Sequence, residues 1–248
     1  MRLKDFKKFL KVAASRKKSV ENYFVFQRFQ ASMMAEDLDK YNVRGAKNFL
    51  DIGSGIGGYI YEFAERYPNT IFISLDLNPL PFAQQKYVGK NIFTMRGDAS
   101  RAPVKDKSFD IVFASGVIEH ITDQTKFLES VSRICKTMAY ISFPPFLSPV
   151  GGHSLSPFHY LPGNLPDVFY KKFYRQKEAS FKNYGLVKTT LSSMEKLSKD
   201  YFETLEVKPR FFDVLKPLIK IPIIREYVCP HIEFYLRPRS LHIRQKSE

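Results

Sequence analysis

A glycine-rich loop and a carboxylate downstream of it are the residues of this chain whose types and spacing best suit chemistry. Residues 50–58 read L-D-I-G-S-G-I-G-G, between an apolar run and a stretch compatible with a helix. Glycines let a backbone turn sharply and let a ligand lie directly against the main chain. Residues 70–75 form a second apolar run, which ends at Asp76, and a carboxylate in that place can bind both hydroxyls of a ribose. The pair predicts a site for a nucleoside-containing cofactor at the carboxyl ends of parallel strands.

The spacing of the glycines distinguishes between cofactors. They stand at Gly53, Gly55 and Gly57, after Asp51, which departs from the G-x-G-x-x-G of dinucleotide sites, and no G-x-x-x-x-G-K-S/T loop is present. The pattern D-x-G-x-G-x-G closely resembles the first motif of class I S-adenosylmethionine (SAM) methyltransferases. The resemblance implies that Asp51 lies near the methionine part of SAM and that the loop, with Ser54, contacts the cofactor. NAD binding and a plain tight turn are the alternatives.

Later segments follow in the order that this resemblance requires. The acid that ends the second strand would bind the ribose, and the R-G-D-A run after a third apolar stretch would meet the adenine. A fourth strand-like run is followed by G-V-I-E-H-I, which resembles the corresponding segment of many small-molecule methyltransferases. The further cofactor contacts implied in these segments are Asp76, Leu77, Asp98, Ala99 and Ser115.

The alternation of apolar runs and helix-compatible segments over residues 47–143 predicts an α/β fold with a parallel sheet covered on both faces. The resemblance implies a Rossmann-like, doubly wound sheet of seven strands, the last of them antiparallel. We expect a basic helical extension over residues 1–45 and a methyltransferase domain over residues 46–240. Within that domain we expect a lid inserted after the fifth strand, over residues 144–190. Residues 241–248 read as a basic tail.

Composition bounds the class of protein. A chain of 248 residues with 44% hydrophobic content suits one α/β domain with additions. No stretch approaches the roughly 18 uncharged apolar residues of a membrane span, and the N-terminus lacks the apolar run of a signal peptide. Cys135 and Cys229 carry no motif spacing. We therefore expect a cytoplasmic protein with reduced cysteines.

The net charge of +14 is concentrated at the N-terminus. Residues 1–20 hold eight Lys and Arg against Asp5, and apolar residues recur there at helical spacing. This pattern predicts a short basic amphipathic helix that lies on an anionic membrane surface, peripheral to the inner face, or binds an acidic partner. A solvated arm and an organelle-targeting peptide are the alternatives.

The lid is rich in proline, glycine, aromatic residues and histidine. Its G-G-H…S-P-x-H-Y-L run, residues 151–161, resembles a subgroup of SAM methyltransferases found among genes for envelope or surface polysaccharides. The likeness extends over most of the chain, including residues 182–185. It implies a small-molecule acceptor, most readily a hydroxyl of a sugar or of a lipid-linked glycan. This chain has no Trp, which that subgroup often carries in the lid, so the acceptor can differ.

Methyl transfer from SAM is an in-line displacement, in which the protein mainly positions the acceptor and excludes water. An oxygen nucleophile also needs a proton acceptor, and histidine suits that role. We predict His153 as the base, with His120 and His159 as alternatives, although each of them could instead fix a loop. A metal site built from Glu119 and these histidines is conceivable. No H-x-x-x-H or C-x-x-C spacing is present, so no metal is expected.

Two other functions are compatible with the sequence. A strongly basic chain attracts phosphates, which would suit an RNA methyltransferase. The N/D-P-P-Y/F motif of amino-methylating nucleic-acid enzymes is absent after the fourth strand, and the F-P-P-F run of residues 143–146 follows the fifth. A catalytically inert SAM-binding subunit is the other alternative, against which Asp51, Asp76 and Asp98 argue. The sequence does not fix the oligomeric state.

Overall fold

A computed structural model describes residues 3–174 and 185–239 of the chain. The strands form a seven-stranded sheet in the order β3-β2-β1-β4-β5-β7-β6. They are β1 (Asn48–Ile52), β2 (Ile71–Asp76), β3 (Ile92–Arg96), β4 (Phe109–Ser115), β5 (Cys135–Phe143), β6 (Phe202–Pro209) and β7 (Ile232–Pro238). Strand β1 pairs in parallel with β2 and β4, β2 pairs in parallel with β3, and β6 and β7 are antiparallel. The predicted Rossmann-like sheet with an antiparallel last strand is confirmed.

Two helices precede β1, and the other helices of the described residues lie in the connections between strands. They are α1 (Leu3–Ser15), α2 (Val20–Leu38), α3 (Gly58–Arg66), α4 (Pro81–Tyr87), α5 (Gln124–Ile134), α6 (Leu165–Tyr174), α7 (Leu191–Ser198), α8 (Lys216–Ile219) and α9 (Ile224–Val228). By internal contacts the chain divides into two compact units. The first unit is Met1–Ala114 with Glu129–Tyr140, and the second is Ser115–Leu128 with Ile141–Glu248.

Aromatic side chains form the core of the first unit. The Phe49 ring on β1 lies 5.5 Å from the ring of Phe63 on α3 and 5.0 Å from that of Phe72 on β2, measured between centroids. Phe113 on β4 stacks on Tyr140 on β5 at 4.7 Å. All five side chains are buried. Large aromatic rings bury much apolar area each, so this cluster fixes the strands whose carboxyl ends carry the glycine loop and Asp76.

The predicted N-terminal helices are present in the first unit. Ser19 caps α2, because its hydroxyl accepts a hydrogen bond from the amide of Asn22. Helix α1 lies against α2, with the rings of Phe9 and Phe26 6.0 Å apart, and leaves Leu10 half exposed. Whether α1 binds a membrane stays a prediction.

The second unit contains the β6–β7 pair and the segment after β5. Helix α7 begins with a capping box, in which the side chains of Thr190 and Ser193 each accept from the other residue's amide. The segment after β5 is ordered as short 3₁₀ turns followed by α6, and Leu155, Tyr170 and Phe158 pack together within it. Residues 182–184 of the predicted motif and the basic tail, 241–248, lie outside the described residues. Among the described helices, none is both long and apolar enough to cross a bilayer.

Candidate active site

The glycine loop after β1 has a backbone that only glycine adopts without strain. Gly53, Gly55 and Gly57 have φ angles of 65°, 54° and 78°, all in the left-handed region. A Cβ atom added to Gly57 would lie 2.1 Å from the hydroxyl of Tyr87. Both conformation and space therefore require glycine at position 57, and the loop presents its main chain rather than side chains.

Hydrogen bonds tie this loop to the end of β2. The amide of Gly53 donates to the carbonyl of Leu75 at 2.7 Å, and the amide of Gly55 donates to Oδ2 of Asp76 at 3.0 Å. Oδ1 of Asp76 accepts from the amide of Asn78 at 2.9 Å. A carboxylate offers about four acceptor positions, so two remain for the hydroxyls of a ribose. These hydrogen bonds thus hold the loop and the Asp76 carboxylate in fixed positions relative to each other.

Asp51 is the most unusual carboxylate of the first unit. It is 2% exposed, and its Oδ2 has no hydrogen-bond partner. Burial, followed by the negative charge of Asp76, raises the pKa of Asp51 well above its ordinary value. A buried carboxylate of this kind is stabilised by an adjacent cation, and SAM carries both a sulfonium and an ammonium group. The orphaned oxygen therefore fits the cofactor that the sequence resemblance implies.

The loop after β3 supplies the remaining predicted contacts in this unit. Asp98 caps a 3₁₀ turn, Ala99–Arg101, by accepting from the amide of Ser100 at 2.8 Å, and its side chain is exposed. Ala99 is buried, whereas Leu77 at the end of β2 is exposed. The amide of Gly97 donates to the carbonyl of Asp76, so this loop follows the end of β2. All the predicted cofactor residues except Ser115 lie in the first unit.

Ser115, at the end of β4, belongs to a buried polar network of the second unit. The guanidinium of Arg210 donates to Ser115 Oγ at 2.9 Å and also to Ser142 Oγ. Nε of Arg210 lies 3.4 Å from a carboxylate oxygen of Glu233, and Nζ of Lys208 lies 3.7 Å from the other. This network is not evident from the sequence. Lys208 and Glu233 are charged residues inside strand-like runs, and this was the sequence signal that could have indicated a buried ion pair.

The second unit brings Glu119, His120 and His153 together. Glu119 is 2% exposed, and neither of its carboxylate oxygens makes a hydrogen bond. Nε2 of His153 lies 3.5 Å from Oε1 of Glu119, and the rings of His120 and His153 are perpendicular with centroids 5.1 Å apart. This is the arrangement of a proton-accepting histidine and its orienting acid.

The two glycines before His153 explain the G-G-H motif. A Cβ on Gly151 would lie 2.1 Å from the carbonyl oxygen of Pro145, and one on Gly152 would lie 2.3 Å from the His159 ring. His153 itself has a φ of 51°, a left-handed conformation that is costly for a residue with a side chain. The turn is therefore compact, and its packing holds His153 in this conformation.

Within residues 115–239, the other two described histidines pack rather than join the cluster. His159 is buried, its ring lies 5.5 Å from that of Phe146, and burial lowers its pKa. His231 was not identified from the sequence. It is buried, and burial lowers its pKa well below the ordinary value, helped by the positive charges of Arg210 and His153. Of the predicted bases, the structure thus groups His120 and His153 and packs His159 separately.

The same cluster offers a set of metal ligands. Glu119, His120 and His153 each present one ligand atom, and these atoms lie within 4.8 Å of one another. Imidazole nitrogens and a carboxylate oxygen are the donors of many zinc sites. The sequence showed no metal motif because the residues come from two distant segments, which the fold brings together.

Comparisons with known proteins show similarity to methyltransferases. Residues 50–143 match the model of a methyltransferase domain family. An uncharacterised methyltransferase of Mycobacterium bovis is 25% identical over 197 residues, which cover 77% of each chain. The crystal structure of PH0226 from Pyrococcus horikoshii has a TM-score of 0.60 at 16% identity and covers 86% of this chain and 92% of its own. Phosphoethanolamine N-methyltransferase 2 of Haemonchus contortus, solved with S-adenosylhomocysteine, has a TM-score of 0.52 at 18% identity over 78% of this chain and 48% of that one.

Proposed function

We propose that this chain, which is a SAM-dependent methyltransferase, transfers the methyl group to a hydroxyl of a sugar or of a lipid-linked glycan. SAM is its cofactor. The proposal assigns the ribose to Asp76 and the cationic methionine part to Asp51, the two carboxylates held beside the glycine loop. The adenine would then meet the segment that contains Asp98 and Ala99.

The pairing of Glu119 with His153 carries the acceptor chemistry. In the transfer, the acceptor oxygen attacks the methyl carbon as the carbon–sulfur bond breaks, and neutral S-adenosylhomocysteine leaves. The hydroxyl proton needs a base, because an oxonium product is strongly acidic. Glu119, 3.5 Å from Nε2 of His153, favours the tautomer with its proton on that nitrogen. Nδ1 of His153 is then the atom that accepts the hydroxyl proton.

Two features support an acceptor at a membrane surface. The segment around His153 carries the lid motif whose resemblance points to surface polysaccharides. Helix α1 is basic, and Leu10 on it is 51% exposed. A basic helix with exposed apolar residues suits an anionic membrane, where a lipid-linked glycan is presented. We infer a peripheral location on the inner face of the membrane.

Turnover by His153→Ala, measured with SAM and a glycolipid extract, tests the role of this residue. Removing a general base costs roughly 10²–10⁴-fold in turnover, whereas SAM affinity should stay within about twofold because the cofactor residues are untouched. Tyr160→Phe is the matched control, since that residue lies in the same segment and loses only a hydroxyl that donates to the carbonyl of Leu147. A fully active His153→Ala enzyme would remove the residue from the base role.

A further inference from the structure

The turn that joins α8 to α9 exposes apolar side chains. Ile221, Ile223 and Ile224 are 42%, 73% and 42% exposed, and Tyr227 on α9 is 46% exposed. Residues 221–224, here called the isoleucine tip, read I-P-I-I. Each exposed isoleucine forgoes the free energy that burial would give. Adjacent exposed apolar residues of this kind mark an interaction surface more often than isolated ones do.

The backbone of the isoleucine tip is also strained. Ile223 has φ 71° and ψ −59°, a conformation that is a genuine outlier for a β-branched residue. Strain of this kind persists only where the surrounding structure imposes it, and it concentrates at functional sites. The strained residue, Ile223, is also the most exposed isoleucine of the tip.

Buried and paired charges hold the tip in place. The carboxylate of Glu226 accepts from the amides of Leu191 and Ser192, at 2.8 and 2.9 Å, and so caps the N-terminus of α7. Arg225 forms a bidentate pair with Glu195 on α7, at 3.1 and 2.7 Å. Both anchors follow the tip directly in the chain. These bonds fix the chain immediately after the tip to α7.

Basic residues flank the tip. Lys216 and Lys220 precede it and are exposed. Lys216 also pairs with Asp213 at 2.8 Å, but that pair is on the surface, where an ion pair contributes little. The surface of an anionic bilayer has a layer of headgroups, which attracts cations, above an acyl boundary, which accepts apolar side chains. The lysines suit the headgroup layer, and the isoleucines suit the acyl boundary.

We propose that the isoleucine tip inserts into the surface of an anionic phospholipid bilayer, with Lys216 and Lys220 at the level of the headgroups. The inference rests on the proposed function, since a lipid-linked acceptor is presented at such a surface. It assigns membrane contact to the second unit, in addition to the contact proposed for α1. Binding, rather than turnover, tests it, so its failure leaves methyl transfer untouched.

The chain has no tryptophan, so a single substitution creates a unique fluorescent reporter. Ile223→Trp, in the full-length protein, should shift its emission to the blue when vesicles of phosphatidylglycerol and phosphatidylcholine are added. Phosphatidylcholine vesicles alone should produce a smaller shift. Val88→Trp is the matched control, because Val88 is 80% exposed but lies outside both the isoleucine tip and α1, and its emission should not move.

Cosedimentation with the same anionic vesicles measures the contribution of the tip. Ile223→Ser should lower the partition coefficient about tenfold, and Val88→Ser should leave it unchanged. If the protein sediments with vesicles while the Ile223→Trp emission stays fixed, another surface such as α1 binds the membrane and the proposal is wrong. If the protein does not bind anionic vesicles at all, both the tip and the membrane location are wrong, and turnover on a detergent-solubilised acceptor still tests the methyl transfer.

Discussion

Replacing Asp76 with alanine should weaken SAM binding strongly. Two acceptor positions of the Asp76 carboxylate are used by the amides of Gly55 and Asn78, and two remain for the ribose hydroxyls. Hydrogen bonds to a charged group contribute about 1.5–3 kcal/mol. Losing the equivalent of one such bond corresponds to a roughly 10- to 150-fold rise in Kd.

The variant also removes two anchors of the backbone, so a control must separate binding from folding. Asp110 provides it, because one oxygen of its carboxylate accepts from the amides of Lys47 and Asn48, at 2.8 and 3.0 Å. Those residues lie at the start of β1, and the glycine loop follows its end. Asp110→Ala should therefore lower the free energy of unfolding comparably but leave SAM affinity unchanged.

Calorimetric titration with SAM, together with urea denaturation, makes the comparison. We expect weak SAM binding by Asp76→Ala alone. Equal SAM affinities for Asp76→Ala and the wild-type protein would place the cofactor elsewhere. Equal losses in both variants would mean that the effect is one of folding rather than of ribose recognition.

Further predictions concern the acid beside His153, the buried groups and the glycine loop. Glu119→Gln should lower turnover roughly 10- to 100-fold at unchanged SAM affinity, because the imidazolium that forms when His153 accepts the proton loses its counter-charge. Steady-state kinetics with a glycolipid extract measure this, and a fully active variant would contradict the role of Glu119. The raised pKa of Asp51 means that the folded protein keeps this proton to a higher pH than the unfolded chain does. Its contribution to stability should therefore fall as pH rises from about 4, and Asp51→Asn should flatten that slope in urea unfolding while abolishing SAM binding. The lowered pKa of His231 has the opposite effect, since the unfolded chain takes up the proton first; stability should fall as pH drops below about 6.5, less so in His231→Gln. Gly57→Ala should cost about 1–3 kcal/mol in thermal unfolding, because its Cβ would overlap the hydroxyl of Tyr87; a stability equal to wild type would contradict the loop geometry.

Elements whose sequence signal lies within a short stretch of residues could be predicted from the sequence. A strand followed by glycines and a helix identifies itself over a short stretch, and the structure places Gly53, Gly55 and Gly57 in conformations that explain their spacing. The number of strands, seven with the last antiparallel, was what the family resemblance implied. Strand ends are less readable from the sequence. Strand β5 begins at Cys135, ahead of the mainly apolar residues 138–143, because tertiary pairing extends a strand beyond its apolar run.

The acceptor side depends on contacts between distant segments, which periodicity does not report. Three histidines were candidates of equal type, and only the structure shows that His153 lies beside the buried Glu119, whereas His159 packs on Gly152. The pairing of Arg210 with Glu233 has the same origin, since each residue taken alone reads as a charge in a strand. Such partners become visible when the fold brings their segments together.

Identification of the methylated product tests the central claim most directly. Purified protein would receive SAM labelled in its methyl group, together with a glycolipid extract and total RNA in separate reactions. We expect label in the glycolipid fraction, recovered after hydrolysis as an O-methyl sugar and absent with His153→Ala. Label in RNA would contradict the proposed acceptor, and SAM binding without label in either fraction would indicate a catalytically inert subunit.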